Sequence, residues 1–167
     1  MKEHKFEFSY KVYNRIEELP AEQKLLLEKA REATNLAYAP YSSFFVGAAA
    51  RLANGEIVKG SNQENASFPV GLCAERVLLG SISSLFPQVP VHAMAVSYHN
   101  QNPDAESDRP ISPCGLCRQT IQEYENRFHH PIQIILGGWE GVVYVIESAS
   151  HLLPFAFTSN DLTTHHP

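Results

Sequence analysis

Cys73, Cys114 and Cys117 are the residues of this chain best suited to chemistry, and Glu75 stands two places after the first of them. Cys114-Gly115-Leu116-Cys117 spaces two thiols as metal sites do, and the distant Cys73 supplies a third sulfur. These are all the cysteines of the chain, and an odd number leaves no complete set of disulfides. Zinc held by three protein ligands keeps a fourth tetrahedral position for water, whereas a closed structural site needs a fourth Cys or His at matching short spacing. No such fourth ligand is found near either cluster. A carboxylate two residues from a ligand can handle the protons of that water without binding the metal. The set predicts a hydrolytic zinc site with Cys73, Cys114 and Cys117 as ligands and Glu75 as its acid-base group. Two other chemistries fit the same residues: a redox dithiol made of Cys114 and Cys117, and a purely structural zinc clip.

Positioning these side chains falls to a series of short elements. Phe6, Phe8, Tyr10 and Val12 alternate with Glu7, Ser9 and Lys11, the period of an edge strand with one buried face. From Pro20 to Ala39 the spacing turns helical, with Leu26, Ala30, Ala33 and Ala37 on one face and Pro40 as the stop. Phe45 to Ala53 and Ile57 to Gly60 flank Asn54-Gly55, the signature of a β-hairpin. Cys73 opens a helix that runs towards Leu85 and ends before Pro87. Val91 to Tyr98 reads as a strand and His99 to Ser112 as an exposed loop, after which Cys114 to Glu125 is helical in composition. Ile132 to Leu136 and Val142 to Ile146 are short strands, and His151 to Phe155 is expected to be a short helical tail. Helices separated by apolar strands imply an α/β fold with three layers, containing both hairpin and crossover connections. The ligating cysteines then sit at helix starts, where the backbone dipole favours thiolates.

The whole chain narrows the function classes further. Its 167 residues, 44% hydrophobic and 19% charged, suit one compact domain. A formal net charge of -5 argues against the broad basic surface that a nucleic acid polymer requires, so small molecules are the expected partners. No apolar run approaches a membrane span, and Met1-Lys2-Glu3-His4-Lys5 does not lead into a signal core. A cytoplasmic, reducing location is expected, which keeps the thiols available for metal. The pairs His129-His130 and His165-His166 lack the context of a metal site and are expected at the surface.

Several motifs in order, from about Ala37 to Leu162, carry a resemblance. They are Tyr38-Ala39-Pro40-Tyr41-Ser42-Ser43-Phe44, Val46-Gly47-Ala48-Ala49, Asn62-Gln63-Glu64-Asn65-Ala66, Cys73-Ala74-Glu75-Arg76 and Pro113-Cys114-Gly115-Leu116-Cys117-Arg118-Gln119. In these the chain resembles the cytidine deaminases of the small homotetrameric type, whose zinc is held by three cysteines. The resemblance implies a three-layer α/β/α fold with a mixed sheet, zinc as cofactor, and hydrolysis of cytidine and deoxycytidine to the uracil nucleosides and ammonia in pyrimidine salvage. It implies Glu75 as the proton shuttle, Arg76 as the group offsetting the negative charge of three thiolates, and Gln119 as its support. Asn62 and Glu64 match the positions that bind ribose hydroxyls, Phe44 the aromatic beside the base, and Ala74 a further substrate contact. Phe157 matches a C-terminal aromatic that reaches a neighbouring subunit's pocket, so active sites shared within a homotetramer are implied. On this likeness residues 1-19 form an extension with a strand, and 20-167 the single deaminase domain.

The sequence also departs from the family. Phe68 stands where many relatives have Tyr, Phe155 replaces a small residue, and the His99 to Pro110 loop is longer than usual. These departures keep two alternatives in view: a deaminase of a modified cytosine compound such as blasticidin S, and a non-catalytic, zinc-stabilised, nucleoside-binding oligomer.

Overall fold

Six strands and three helices account for the periodicities of the chain in the computed structural model, which describes residues 1–162. His165 and His166 lie outside the described residues. The strands are β1 (Lys11–Tyr13), β2 (Phe44–Leu52), β3 (Ile57–Ser61), β4 (Val91–Asn100), β5 (Gln133–Gly137) and β6 (Val143–Ile146). The helices are α1 (Ala21–Ala33), α2 (Ala74–Leu85) and α3 (Gly115–Phe128). One mixed sheet has the order β1-β6-β5-β4-β2-β3, with only the β4 and β5 neighbours parallel.

Chain direction decides the layers. α2 carries the chain from β3 past β2 to β4, and α3 carries it from β4 to β5, so both crossovers step the same way across the sheet. Right-handed crossovers in one direction put both helices on one face and leave the other face to α1. The core divides accordingly. Ala48, Ala50 and Leu52 of β2 pack with Leu78, Leu79 and Ile82 of α2 and Ile121 of α3, while Ala49 points the opposite way to Leu26, Leu27 and Ala30 of α1.

Close approach in this core is achieved with small residues. A Cβ on Gly60 of β3 would lie 2.5 Å from the Leu78 nitrogen and 2.7 Å from the Ala74 carbonyl oxygen, so the α2 backbone rests directly on the strand. At the hairpin, Gly55 has φ +88, the left-handed geometry that Asn-Gly turns supply without steric cost.

Three expected elements come out shorter, for identifiable reasons. The alternating stretch from Phe6 to Val12 forms a strand only over Lys11–Tyr13, because β6 offers it only Val143 to Val145 as partners. Phe6, Phe8 and Tyr10 lie outside any strand, and their faces stay exposed. The tail expected over His151 to Phe155 is a 3-10 turn at Ala149–Leu152; Pro154 cannot continue a helix, and Phe155 takes φ +59. The first helix likewise gives way to a 3-10 turn at Thr34–Leu36 before Pro40.

One buried carboxylate has no counterpart in the sequence reading. Glu125, near the end of α3, accepts hydrogen bonds from the backbone nitrogens of Ile132 (2.6 Å), Ala149 (2.8 Å) and Ser150 (3.0 Å), and from the Ser148 hydroxyl (2.9 Å). It fastens the end of α3 to the approach to β5 and to the turn after β6.

Candidate active site

Helix starts bring the three cysteines together. Cys73 is the N-cap of α2 and Cys114 the N-cap of α3, while Cys117 lies one turn into α3 on the face of Cys114. The Cys73 and Cys114 sulfurs are 3.7 Å apart, those of Cys114 and Cys117 are 3.5 Å apart, and all three lie within 4.8 Å of one another. Zn–S bonds of about 2.3 Å in a tetrahedron place sulfurs about 3.8 Å apart, so the spacing fits zinc. Among the described residues no other group of three or more His, Cys, Asp or Glu is gathered to hold a metal.

The protons of this cluster make the same case. A hydrogen bond from Cys117 holds the Cys73 thiol down to about 6, with smaller help from Cys114 and from the Arg76 charge. Cys117, the partner in that bond, is pushed far above the ordinary thiol range, with burial and the Glu75 charge adding to the effect. Three sulfurs this close therefore share protons unless a cation replaces them, and the donor set suits a divalent ion.

Glu75 sits in the first turn of α2 with only 4% of its surface exposed. Burial raises its pKa; its own backbone amide and the Cys117 thiol pull the other way, and the Cys73 charge adds to the rise. Glu75, Cys73, Ala74 and Cys114 line a cavity of about 320 Å³, at the small end of small-molecule sites.

Asn62 and Glu64 line the same cavity from the stretch after β3. The Asn62 amide is locked onto β2: its Oδ1 accepts from the Val46 nitrogen at 2.7 Å and its Nδ2 donates to the Phe44 carbonyl at 2.9 Å. One Nδ2 hydrogen remains for a ligand. Glu64 accepts from the backbone nitrogens of Tyr41 (2.9 Å) and Ser42 (3.3 Å). A hydrogen bond from the Ser42 side chain does most to keep its carboxyl below the ordinary range, and these two amides assist.

Other expected site residues fall at the margin. Phe44 does not line the cavity; it stacks on Tyr98 with ring centroids 5.0 Å apart. Phe157 is 56% exposed and away from the cavity of its own chain, and its carbonyl accepts from the Gln119 side chain at 2.8 Å. Gln119 is thus engaged with the C-terminal segment. Arg76 is half-buried and acts on Cys73 through its charge. Phe68 lines the cavity and is 75% exposed at its mouth, with Tyr41 edge-on to its ring. His129 and His130 serve the end of α3: His129 takes the left-handed φ of 49 as its C-cap, and His130 stacks on His92.

Sequence reasoning passed over Ile111 and Ser112, which line the cavity from the loop before Cys114. It also passed over Arg118, whose Nε donates to the Pro113 carbonyl at 2.8 Å and whose Nη1 donates to the Leu152 carbonyl at 3.1 Å. Arg118 thereby clamps the residue preceding Cys114 to the segment after β6. An arginine in a helical run otherwise reads as a solvated charge.

Comparison with known proteins agrees with this arrangement. Residues 20–128 match the family model described as the cytidine and deoxycytidylate deaminase zinc-binding region. The chain is 37% identical over 141 residues to a cytidine deaminase of Halalkalibacterium halodurans, a match covering 84% of this chain and 98% of that protein. It is 37% identical to one of Sporosarcina psychrophila, covering 83% of this chain and 93% of the other. Among solved structures, a cytidine deaminase from Burkholderia pseudomallei superposes with a TM-score of 0.69 at 39% identity, covering 80% of this chain and 97% of that one.

Proposed function

We infer the function from a premise that is now in place: the chain belongs to the cytidine and deoxycytidylate deaminase family, a family of zinc-dependent hydrolases. It catalyses the hydrolytic deamination of cytidine, and we propose deoxycytidine as a second substrate, with uracil nucleosides and ammonia as products in pyrimidine salvage. Cys73, Cys114 and Cys117 would hold the zinc, which when bound supplies the Lewis acidity that makes water nucleophilic near neutral pH.

The remaining work belongs to the side chains. Glu75, buried at the start of α2 with its pKa raised by that burial, is suited to take up a proton and to return it. It takes a proton from the attacking water, delivers it to the ring nitrogen beside the amino-bearing carbon, and passes the second to the departing amine, so that water and cytidine leave as uridine and ammonia. Arg76 offsets the charge of about minus one that three thiolates leave on a divalent ion. Asn62 and Glu64 offer a donor and an acceptor to the ribose hydroxyls, and Ala74 lines the pocket beside Glu75, while Phe44, stacked on Tyr98, stays outside the cavity lining of its own chain.

We further propose a homotetramer in which Phe157 closes a neighbour's cavity. Its exposure, together with that of Phe68 and Val70 near the mouth, leaves apolar surface that a second subunit would cover. Residues 20–167 would constitute the deaminase domain and 1–19 an extension to it. Among the described residues no helix is long and apolar enough to cross a membrane. A cytoplasmic location is proposed on the three unpaired thiols.

The observation that best supports this reading is the meeting of three sulfurs at zinc spacing with a buried carboxyl in a cavity of nucleoside size. The test follows the ultraviolet absorbance of cytidine with protein of measured zinc content, alongside ammonia release. The expected result is one ammonia per cytidine, with Glu75→Gln keeping its zinc and losing at least about a hundredfold in turnover. Zinc-loaded protein that leaves cytidine unchanged while turning over blasticidin S would reassign the substrate. Unimpaired turnover by Glu75→Gln would remove that residue from the mechanism.

A further inference from the structure

The segment leading into β1 has a built face but, among the described residues, no partner strand before Lys11. Ring contacts of 6.4 Å between Phe6 and Phe8 and 6.4 Å between Phe8 and Tyr10 show that alternate side chains share one side, as in an extended strand. Lys5 and Glu7 form an ion pair on the other side. Phe6 is 53% exposed, Phe8 42%, Tyr10 49% and Val12 55%, although Phe8 touches His151 and Tyr10 touches Tyr144. The backbone of Lys5 to Ser9 makes no hydrogen bond among the described residues. β1 is moreover the edge of the sheet, so the side of this segment turned away from β6 carries free backbone groups.

A flat, aromatic, unpaired edge invites another strand, and this sequence specifies which one. Laid antiparallel on itself about Ser9, it puts Phe8 opposite Tyr10, Phe6 opposite Val12 and Glu7 opposite Lys11, each pair occurring twice by symmetry. Directly opposed residues in an antiparallel pair share a face, so the aromatic pairs fall on one side and the two ion pairs on the other. Neighbouring registers are worse. Centring on Phe8 sets Lys5 against Lys11, centring on Tyr10 leaves Glu7 and Lys11 without opposite charges, and shifting by one residue puts apolar groups opposite polar ones. The Lys11 ammonium already reaches Glu147 at 2.8 Å, so that face is a small charged network awaiting one more carboxylate.

We propose that residues 5–13 are a pairing strand for a second copy of this chain, joined antiparallel across a two-fold axis at Ser9. The two sheets then run on as β6-β1-β1-β6, and because each copy uses its single β1 edge the association stops at two arms. The inference does not depend on the deaminase reading, nor on any contact made around the cavity.

The test places a thiol on the axis. Ser9→Cys protein is treated with oxidised glutathione, with the parent chain alongside, and cross-linked dimers are read on non-reducing gels with the bridge located by mass spectrometry. Dimers bridged through the introduced thiol of each copy are expected only in the substituted chain. Adding Glu7→Lys or Lys11→Glu singly should slow cross-linking by about tenfold through like-charge opposition, and adding both should restore it to within about threefold. Absence of a bridge between the two introduced thiols, or a double reversal as slow as the single ones, would overturn the proposal. The unaltered activity of the parent chain is measured separately, so failure here leaves the catalytic assignment intact.

Discussion

A methyl group placed on Gly60 would enter the backbone of α2 and disturb a site it never touches. The added Cβ would stand 2.5 Å from the Leu78 nitrogen, 2.7 Å from the Ala74 oxygen and 2.8 Å from the Leu78 Cα, and backbone cannot rotate out of the way as a side chain can. Reaching the 3.4 Å at which ordinary contact begins requires α2 to move by 3.4 minus 2.5, about 0.9 Å, relative to β3. Overpacking of this kind costs about 1–3 kcal/mol, which in a chain of this size lowers Tm by roughly 2 to 12 °C. Cys73 and Glu75 ride on the start of α2, whereas Cys114 and Cys117 ride on α3, so the shift opens the sulfur triangle from one corner. A misplacement of about 1 Å can cost on the order of a hundredfold in rate. The control is Gly80→Ala in the same helix, where a Cβ meets nothing within 4 Å and the gain in helix propensity is about 0.5–1 kcal/mol. The assays are thermal unfolding and the separate measurement of kcat and KM with cytidine. Gly60→Ala should lose both stability and kcat while Gly80→Ala gains stability and keeps kcat. Equal behaviour of the two variants would refute the packing argument.

Three further outcomes are expected. Glu125→Gln turns one carboxylate oxygen into an amide NH₂; even with the remaining oxygen towards Ile132 and Ala149, the NH₂ faces the Ser150 amide, so that hydrogen bond fails and urea unfolding should report a loss of about 1–3 kcal/mol; a loss under about 0.5 kcal/mol would show that the carboxylate is dispensable. Arg118→Met frees the Pro113 and Leu152 carbonyls beside the Cys114 loop, and zinc should pass to a chelator about tenfold faster, with Lys restoring only part because it lacks the two-pronged geometry; unchanged release would clear Arg118 of any positioning role. Burial, followed by the charges of His130 and Arg51, holds the His92 ring below its ordinary 6.5, so the unfolded chain binds the proton first. The resulting stability is complete above that value and is lost as pH falls through it, levelling off once the folded ring is also protonated. His92→Gln should therefore flatten the decline in unfolding free energy between about pH 7 and 5, and an unaltered slope would count against the linkage.

The legible parts of this protein were those in which local chemistry and long-range structure ask for the same residue. Asn54-Gly55 demanded a left-handed turn, and Gly55 has one. Pro87 ended α2 and the cysteines opened α2 and α3, because an N-cap wants a side chain that tolerates the positive end of a helix. The stretch from Phe6 to Val12 misled because alternation reports a two-sided environment without saying whether a partner strand is long enough, and β6 is not. Glu125 and Arg118 were invisible for a related reason. Each looks like a solvated charge on a helix, and only tertiary folding brings the Ile132, Ala149 and Ser150 amides to one and the Pro113 and Leu152 carbonyls to the other.

Residues as far apart as Glu64 and Ser112 meet for a topological reason that also explains where the cavity must lie. β3 and β4 run the same way, since each is antiparallel to β2 between them, and the chain leaves both strands at one end of the sheet. Asn62 and Glu64 follow β3 at that end, Ile111 to Cys114 follow β4, and Tyr41 and Ser42 precede β2, which begins where its neighbours finish. Both crossover helices must then start nearby, bringing two sets of unsatisfied amides to the sulfurs that benefit from them. Open α/β sheets place ligands beyond the carboxyl ends of such strands. The stretch between Cys73 and Cys114, 41 positions apart, is therefore one helix, one strand and a loop, the length needed to leave that end of the sheet and return to it.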